Sequence, residues 1–168
     1  MEWTGARYSD SPTVEVSTWI DAAPQQVWAV ASDIHEMAES SAELQRVEWT
    51  DGATGPGLGA RFIGHNAHPS LGEWSTVSEI VEYEPTHVFA WAVGEPGNPS
   101  ATWRLRMAPE DGGTRLWSWM QMGPAPSGLS FAIAAMPDKE EKIVFVRMRE
   151  FEAGMLATLA HLKQRAEG

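Results

Sequence analysis

The chain has 168 residues, 43% of them hydrophobic, and its 23 Asp and Glu outweigh 12 Lys and Arg to give a net charge of −11. That length and apolar content predict one folded domain with a sizeable core and exclude a disordered chain. The acidic balance argues against nucleic acid or an anionic membrane as partner, since both need clustered positive charge, and the lack of cysteine excludes disulfides, thiolate metal sites and a cysteine nucleophile.

Residues 1–12 are polar, lack the apolar stretch of a secretory signal, and read as a flexible N-terminal arm. Residues 13–20, rich in Thr, Val, Trp and Ile, predict a strand. Pro24 ends that strand and suits a first helical position, where its missing N–H costs nothing. Val27, Trp28, Val30 and Ala31 follow at helical spacing, so residues 24–31 predict a helix. A second short helix over 33–40 has Ser32 or Asp33 to cap it. Residues 43–50 alternate Leu44, Val47 and Trp49 with charges and predict a strand, followed by a glycine-rich turn over 51–57.

Five more strands follow in succession. Residues 60–66 put Phe62 and Gly64 on one face and Arg61, Ile63 and His65 on the other. Residues 74–83 form a strand long enough to bend or bulge. Turns over 84–86, 94–99 and 109–113 separate strands over 87–93, 101–107 and 114–122. Turns every 10–14 residues suit an antiparallel meander rather than βαβ units. Residues 123–137 break the pattern with prolines around an apolar stretch, whose run of 128–136 falls far short of the roughly 20 residues that span a bilayer. From 138 to about 165, Val144, Met148, Phe151, Met155, Leu159 and Leu162 make a continuous apolar helical stripe, with Gly154 beside it to allow close packing. A long amphipathic helix must bury its stripe, and a curved sheet has one apolar face to offer. The expected fold is therefore α+β: a seven-stranded antiparallel curved sheet in the order β-α-α-β6-α, wrapped round the C-terminal helix, with residues 13–168 as one domain.

These elements resemble the START-like helix-grip superfamily, and within it the polyketide cyclase/dehydrase-like (SRPBCC) branch. The carriers are Ile20–Trp28, Ser32-Asp33-Ile34, Val47-Glu48-Trp49, Gly55–Phe62, Trp74-Ser75-Thr76, Val81–Pro85, Trp103-Arg104-Leu105 and Phe151–Leu159. The resemblance covers roughly residues 13–165 and is specific for the fold rather than for one activity. It implies a deep apolar cavity between sheet and helix. Members include aromatase/cyclases, hormone receptors and lipid carriers. Where many relatives place Trp and Pro in the second short helix, this chain has Met37-Ala38-Glu39-Ser40-Ser41, a more polar mouth.

Nine tryptophans fit either an ordinary core or an aromatic-lined pocket. Asn66, Trp74, Trp91, Trp103, Ser118, Gln121, Phe151 and Met155 are the expected ligand-binding residues. Arg115, Trp117, Trp119 and Gln121 share a stripe that faces either inward, with Gln121 as a polar handle, or outward, as an apolar patch for a partner protein. Proton-transfer candidates are His65, His68, Glu73 and Tyr83. The loose spacing of His65, His68 and Glu73 does not suit a metal, and neither metal nor cofactor is expected. Arg104 and Arg106 read as a solvated outer face, and Arg147 with Glu150 as a surface ion pair or as groups at the cavity edge. Three functions stay open: binding of a small hydrophobic or aromatic molecule, a cyclase or dehydratase using the same cavity, and a protein-interaction module. A cytoplasmic monomer or homodimer with a small-molecule partner and no membrane contact is the expectation.

Overall fold

A computed structural model describes residues 1–168. The elements are β1 (Thr13–Ile20), α1 (Pro24–Ala31), α2 (Ile34–Ser40), β2 (Leu44–Thr50), β3 (Arg61–His68), β4 (Gly72–Glu84), β5 (Val88–Glu95), β6 (Asn98–Glu110), β7 (Gly113–Met122), α3 (Gly128–Ala135) and α4 (Glu140–Glu167). The strands form one antiparallel sheet in the order β1-β7-β6-β5-β4-β3-β2. This is the expected α+β helix-grip arrangement, with α4 against the inner face of the sheet. No helix is long and apolar enough to cross a membrane.

Local chemistry explains the punctuation. Pro24 occupies the first turn of α1, and Asp33 caps α2 by accepting from the His35 N–H at 3.0 Å. The β6–β7 turn is two residues long, with φ 49° at Asp111 and 79° at Gly112. That positive pair is the type I′ geometry, whose twist matches the flanking strands. The long β4 is broken by a register shift between Ile80 and Glu82, which lets the sheet curl.

Two departures stand out. The segment 123–137 contains the helix α3, stabilised where the Ser130 hydroxyl accepts the Ser127 N–H at 3.0 Å. Gly154 is exposed, with nothing near where a Cβ would stand, so it does not serve close packing.

The interior holds two separate apolar groups. The larger joins α1 and α2 to Ile80, Phe89, Leu105, Leu116, Leu159 and Leu162. The smaller joins Val14, Met120, Met122 and Leu129 to Val144, Met148 and Met155 of α4. Partly buried aromatic side chains border both. Residues 1–10 lie along α4: Trp3 meets Phe145 edge-on at 5.1 Å, and the Tyr8 hydroxyl donates to Ala125 O at 2.6 Å.

Candidate functional site: the aromatic tier between sheet and α4

Strand alternation and cross-strand register decide which side chains face α4. Asn66 stands opposite Trp74, Phe62 opposite Ser78, and Ser78 opposite Val93. Trp91 stands opposite Trp103, and Trp103 opposite Met120. These positions share the inner face. Trp91 and Trp103 stack at 6.4 Å with planes 13° apart, and Phe151 of α4 meets Trp103 edge-on at 5.4 Å. Trp49, Trp74, Trp91, Trp103 and Phe151 are all only half-buried despite facing inward. The interface is narrower here than the deep cavity implied by the resemblance, because rings from helix and sheet already touch.

Two inward hydroxyls carry information. Ser78 and Ser118 are 3% and 6% exposed, yet neither makes a side-chain hydrogen bond. No side-chain oxygen or nitrogen that is sealed from solvent lacks a partner, so both hydroxyls touch open space within the fold. Asn66 has a single long bond, Nδ2 to Gly64 O at 3.4 Å. The tier therefore offers flat apolar rings together with free neutral polar groups.

A charged cluster closes the tier at the β2–β3 side. Arg147 donates through Nη1 to Glu43 and Glu150, both at 2.6 Å, and through Nη2 to Glu43 at 2.8 Å. Its guanidinium lies over the Phe151 ring, 4.3 Å from the centroid. Burial opposes its charge, but the hydrogen bonds it donates to Glu43 and Glu150, with the attraction of both carboxylates, outweigh that and raise its pKa. Only 8% of the side chain is exposed, so the surface ion-pair reading gives way to a buried one at the cavity edge. His68, on the inner face with Asn66, sets Nε2 3.2 Å from Glu150 and accepts the Ser70 N–H at Nδ1, 3.0 Å away. A backbone N–H can only donate, so Nδ1 is unprotonated and Nε2 carries the hydrogen given to Glu150. Glu43, His68 and Glu150 approach closely enough to suggest metal ligands, but Arg147 Nη1 bonds the very carboxylate oxygens a metal would use.

Several expected site residues lie elsewhere. His65 is on the outer face between Glu48 and Ser75, at 2.9 and 2.8 Å, because alternation along β3 turns it away from Asn66. Glu73 pairs with Ala67 on that outer face and is exposed. Gln121 alternates with the buried Met120 and Met122, so it too faces outward, where Nε2 donates to Ser11 O at 3.4 Å. Tyr83 faces inward but packs against Trp28 and Phe89 at the α1 end. Met155 is buried in the smaller core group. His68 is thus the one proton-transfer candidate brought to the tier, with Glu150 in place of Glu73 as its carboxylate.

Trp117 and Trp119 settle on the outer face, opposite Arg106 and Arg104. Those guanidiniums lie over them at 3.9 and 4.9 Å, so the indoles are capped rather than bare. Glu43 and Ser78 were not among the expected site residues. The alternation of Trp74, Thr76, Ser78 and Ile80 carried the signal for Ser78; nothing local marks Glu43, whose partner is 104 positions away. Two hollows lie outside the tier. One of about 680 Å³ is formed by the loop from Asp51 to Arg61, and one of about 320 Å³ separates residues 1–6 from Val144, Phe145 and Met148.

A sequence profile described as polyketide cyclase / dehydrase and lipid transport matches residues 11–167. The polyketide-cyclase-like protein Cgl2372 from Corynebacterium glutamicum is 31% identical, with a TM-score of 0.63 over 90% of this chain and 88% of that one. The Zhui aromatase/cyclase from Streptomyces sp. R1128 is 20% identical, with a TM-score of 0.67 over 93% of both chains, which shows a shared fold. The di-domain ARO/CYC StfQ from the steffimycin biosynthetic pathway is 16% identical, with a TM-score of 0.70; the match covers 92% of this chain and 50% of StfQ. A comparison with curated proteins finds no match.

Proposed function

Because the chain belongs to the polyketide cyclase/dehydrase and lipid-transport family, we propose that it takes up a small hydrophobic or aromatic molecule between the sheet and α4. The observation that carries this reading is the tier itself: inward rings left half-buried beside hydroxyls, at Ser78 and Ser118, that have no protein partner. Ligand sites are typically apolar with a few placed polar groups, and this composition fits. Asn66, Trp74, Trp91, Trp103, Ser118 and Phe151 are the proposed lining. The test is tryptophan fluorescence against a panel of aromatic ketones, phenols and long-chain lipids. A saturable change that is lost in Trp103→Leu is the expected result; no response to any of the panel defeats the proposal.

A cyclase or dehydratase acting in the same space is the second reading. His68 favours it, since it stands on the inner face with a fixed tautomer and a carboxylate partner. Holding a reactive chain folded would itself supply much of the acceleration, and His68 would turn its Nε2–H to the oxygen on which charge develops, stabilising it while keeping the proton. On this reading His68→Gln lowers turnover of a poly-β-ketone substrate by about 10²-fold or more while leaving binding intact. An equal loss of binding and turnover would make His68 merely structural.

A further inference from the structure

The Arg147 guanidinium is incompletely used by the protein. Both Nη1 hydrogens and one Nη2 hydrogen go to Glu43 and Glu150. Nε–H and the second Nη2–H have no partner, and together they form one edge of the planar fork. The residue is only 7% exposed, yet no sealed side-chain nitrogen lacks a partner, so Nε, which has none, reaches accessible space. The ring beneath the guanidinium is Phe151, which in turn meets Trp103 in the aromatic tier. A buried donor pair therefore adjoins a flat apolar surface with nothing in the protein to accept from it.

We propose that Arg147 is the polar anchor of the tier, gripping an oxygen acceptor on an uncharged aromatic ligand. This rests on the binding reading above and goes further by naming the ligand's chemistry. The acceptor belongs to a neutral group, such as a ketone or phenol, because Glu43 and Glu150 already give Arg147 two negative neighbours. A ligand carboxylate would add a third negative charge in a partly desolvated site, where like charges repel strongly. A neutral carbonyl accepts from the free edge without that cost. Arg147 thereby sets specificity: rings alone would hold any arene, and the free edge selects those carrying an oxygen at one end.

The test uses the full chain and three probes of equal ring size: 2-acetonaphthone, naphthalene and 2-naphthoate, followed by tryptophan fluorescence. Wild-type protein is expected to bind acetonaphthone about tenfold more tightly than naphthalene, as one charge-assisted hydrogen bond predicts, and naphthoate more weakly than acetonaphthone. In Arg147→Lys, which keeps the charge for Glu43 and Glu150 but lacks the fork, acetonaphthone falls to the level of naphthalene while naphthalene itself is unchanged. Arg147→Met repeats the comparison without the charge. Equal binding of acetonaphthone and naphthalene to wild-type protein overturns the anchor but not the binding site. A preference that survives both substitutions also overturns it. Tighter binding of naphthoate overturns the neutral-ligand assignment, and binding of no probe overturns the binding site together with its anchor.

Discussion

Replacing Arg147 with Met leaves Glu43 and Glu150 at the rim of the tier without their shared counter-charge. One-sided removal from a fully buried ion pair costs roughly 3–5 kcal/mol. Here Glu43 and Glu150 keep 26% and 37% of their side-chain surface in water, so a loss of about 2 kcal/mol is expected in urea denaturation. Glu36 offers a second test at this scale. Its pKa is held below the usual carboxylate range by a hydrogen bond from Arg165, then by one involving His161. On acidification the unfolded carboxyl takes up its proton first, so the unfolded state gains relative to the folded one. The contribution is complete above the ordinary glutamate value, about 4.3, and is lost as pH falls through the lower folded value. The urea midpoint should fall below about pH 5, and Glu36→Gln should flatten that fall. An unchanged slope would mean that Glu36 binds its proton equally in both states. These groups were unevenly legible in the sequence. Asn66 and Trp103 followed from alternation alone, whereas the Arg147–Glu43 pair joins residues 104 apart and has no local signature.

Two adjacent glycines at the β6–β7 turn separate backbone strain from crowding. Gly112 has φ 79° with open space around the missing Cβ. Gly113 would set a Cβ 2.3 Å from Ile20 O and 2.8 Å from the Trp19 ring. Gly112→Ala should therefore cost only the strain of a left-handed alanine, about 1 kcal/mol. Gly113→Ala must push β7 away from the end of β1, at about 3 kcal/mol or more. Equal urea midpoints for the two variants would contradict this account. The meander itself was legible at this scale because its turns are rich in Gly and Pro and its strands alternate. α3 was hidden because Pro124, Pro126 and Pro137 bracket it, and its eight residues contain no charge that would give a helix a polar face. The 94–99 turn proved tighter than its composition suggested, since β5 runs to Glu95 and β6 starts at Asn98.

At the scale of the whole molecule, α4 does two things for the sheet: it fills the inner face and leaves the aromatic tier between two separately packed groups. A ligand in that tier would bridge the groups and stabilise only the folded chain. At a concentration a hundred times its Kd, the gain is about 2.7 kcal/mol, which for a domain of this size raises Tm by roughly 5–10 °C. Calorimetry with and without a probe that changes tryptophan fluorescence would check this, and an unmoved Tm would mean that the probe does not favour the folded chain.

The course of α4 also bears on how copies of the chain meet one another. An open sheet has two unpaired borders, here β1 and β2, and exposed borders are templates for strand-to-strand aggregation. Lys163 of α4 donates to Trp19 O on β1 at 2.7 Å, while Arg147 grips Glu43 just before β2. Arg46 and Glu48 add charge along β2. The helix that shapes the interior thus also guards the sheet's margins, and loosening it would favour fibrous assembly as well as an altered cavity.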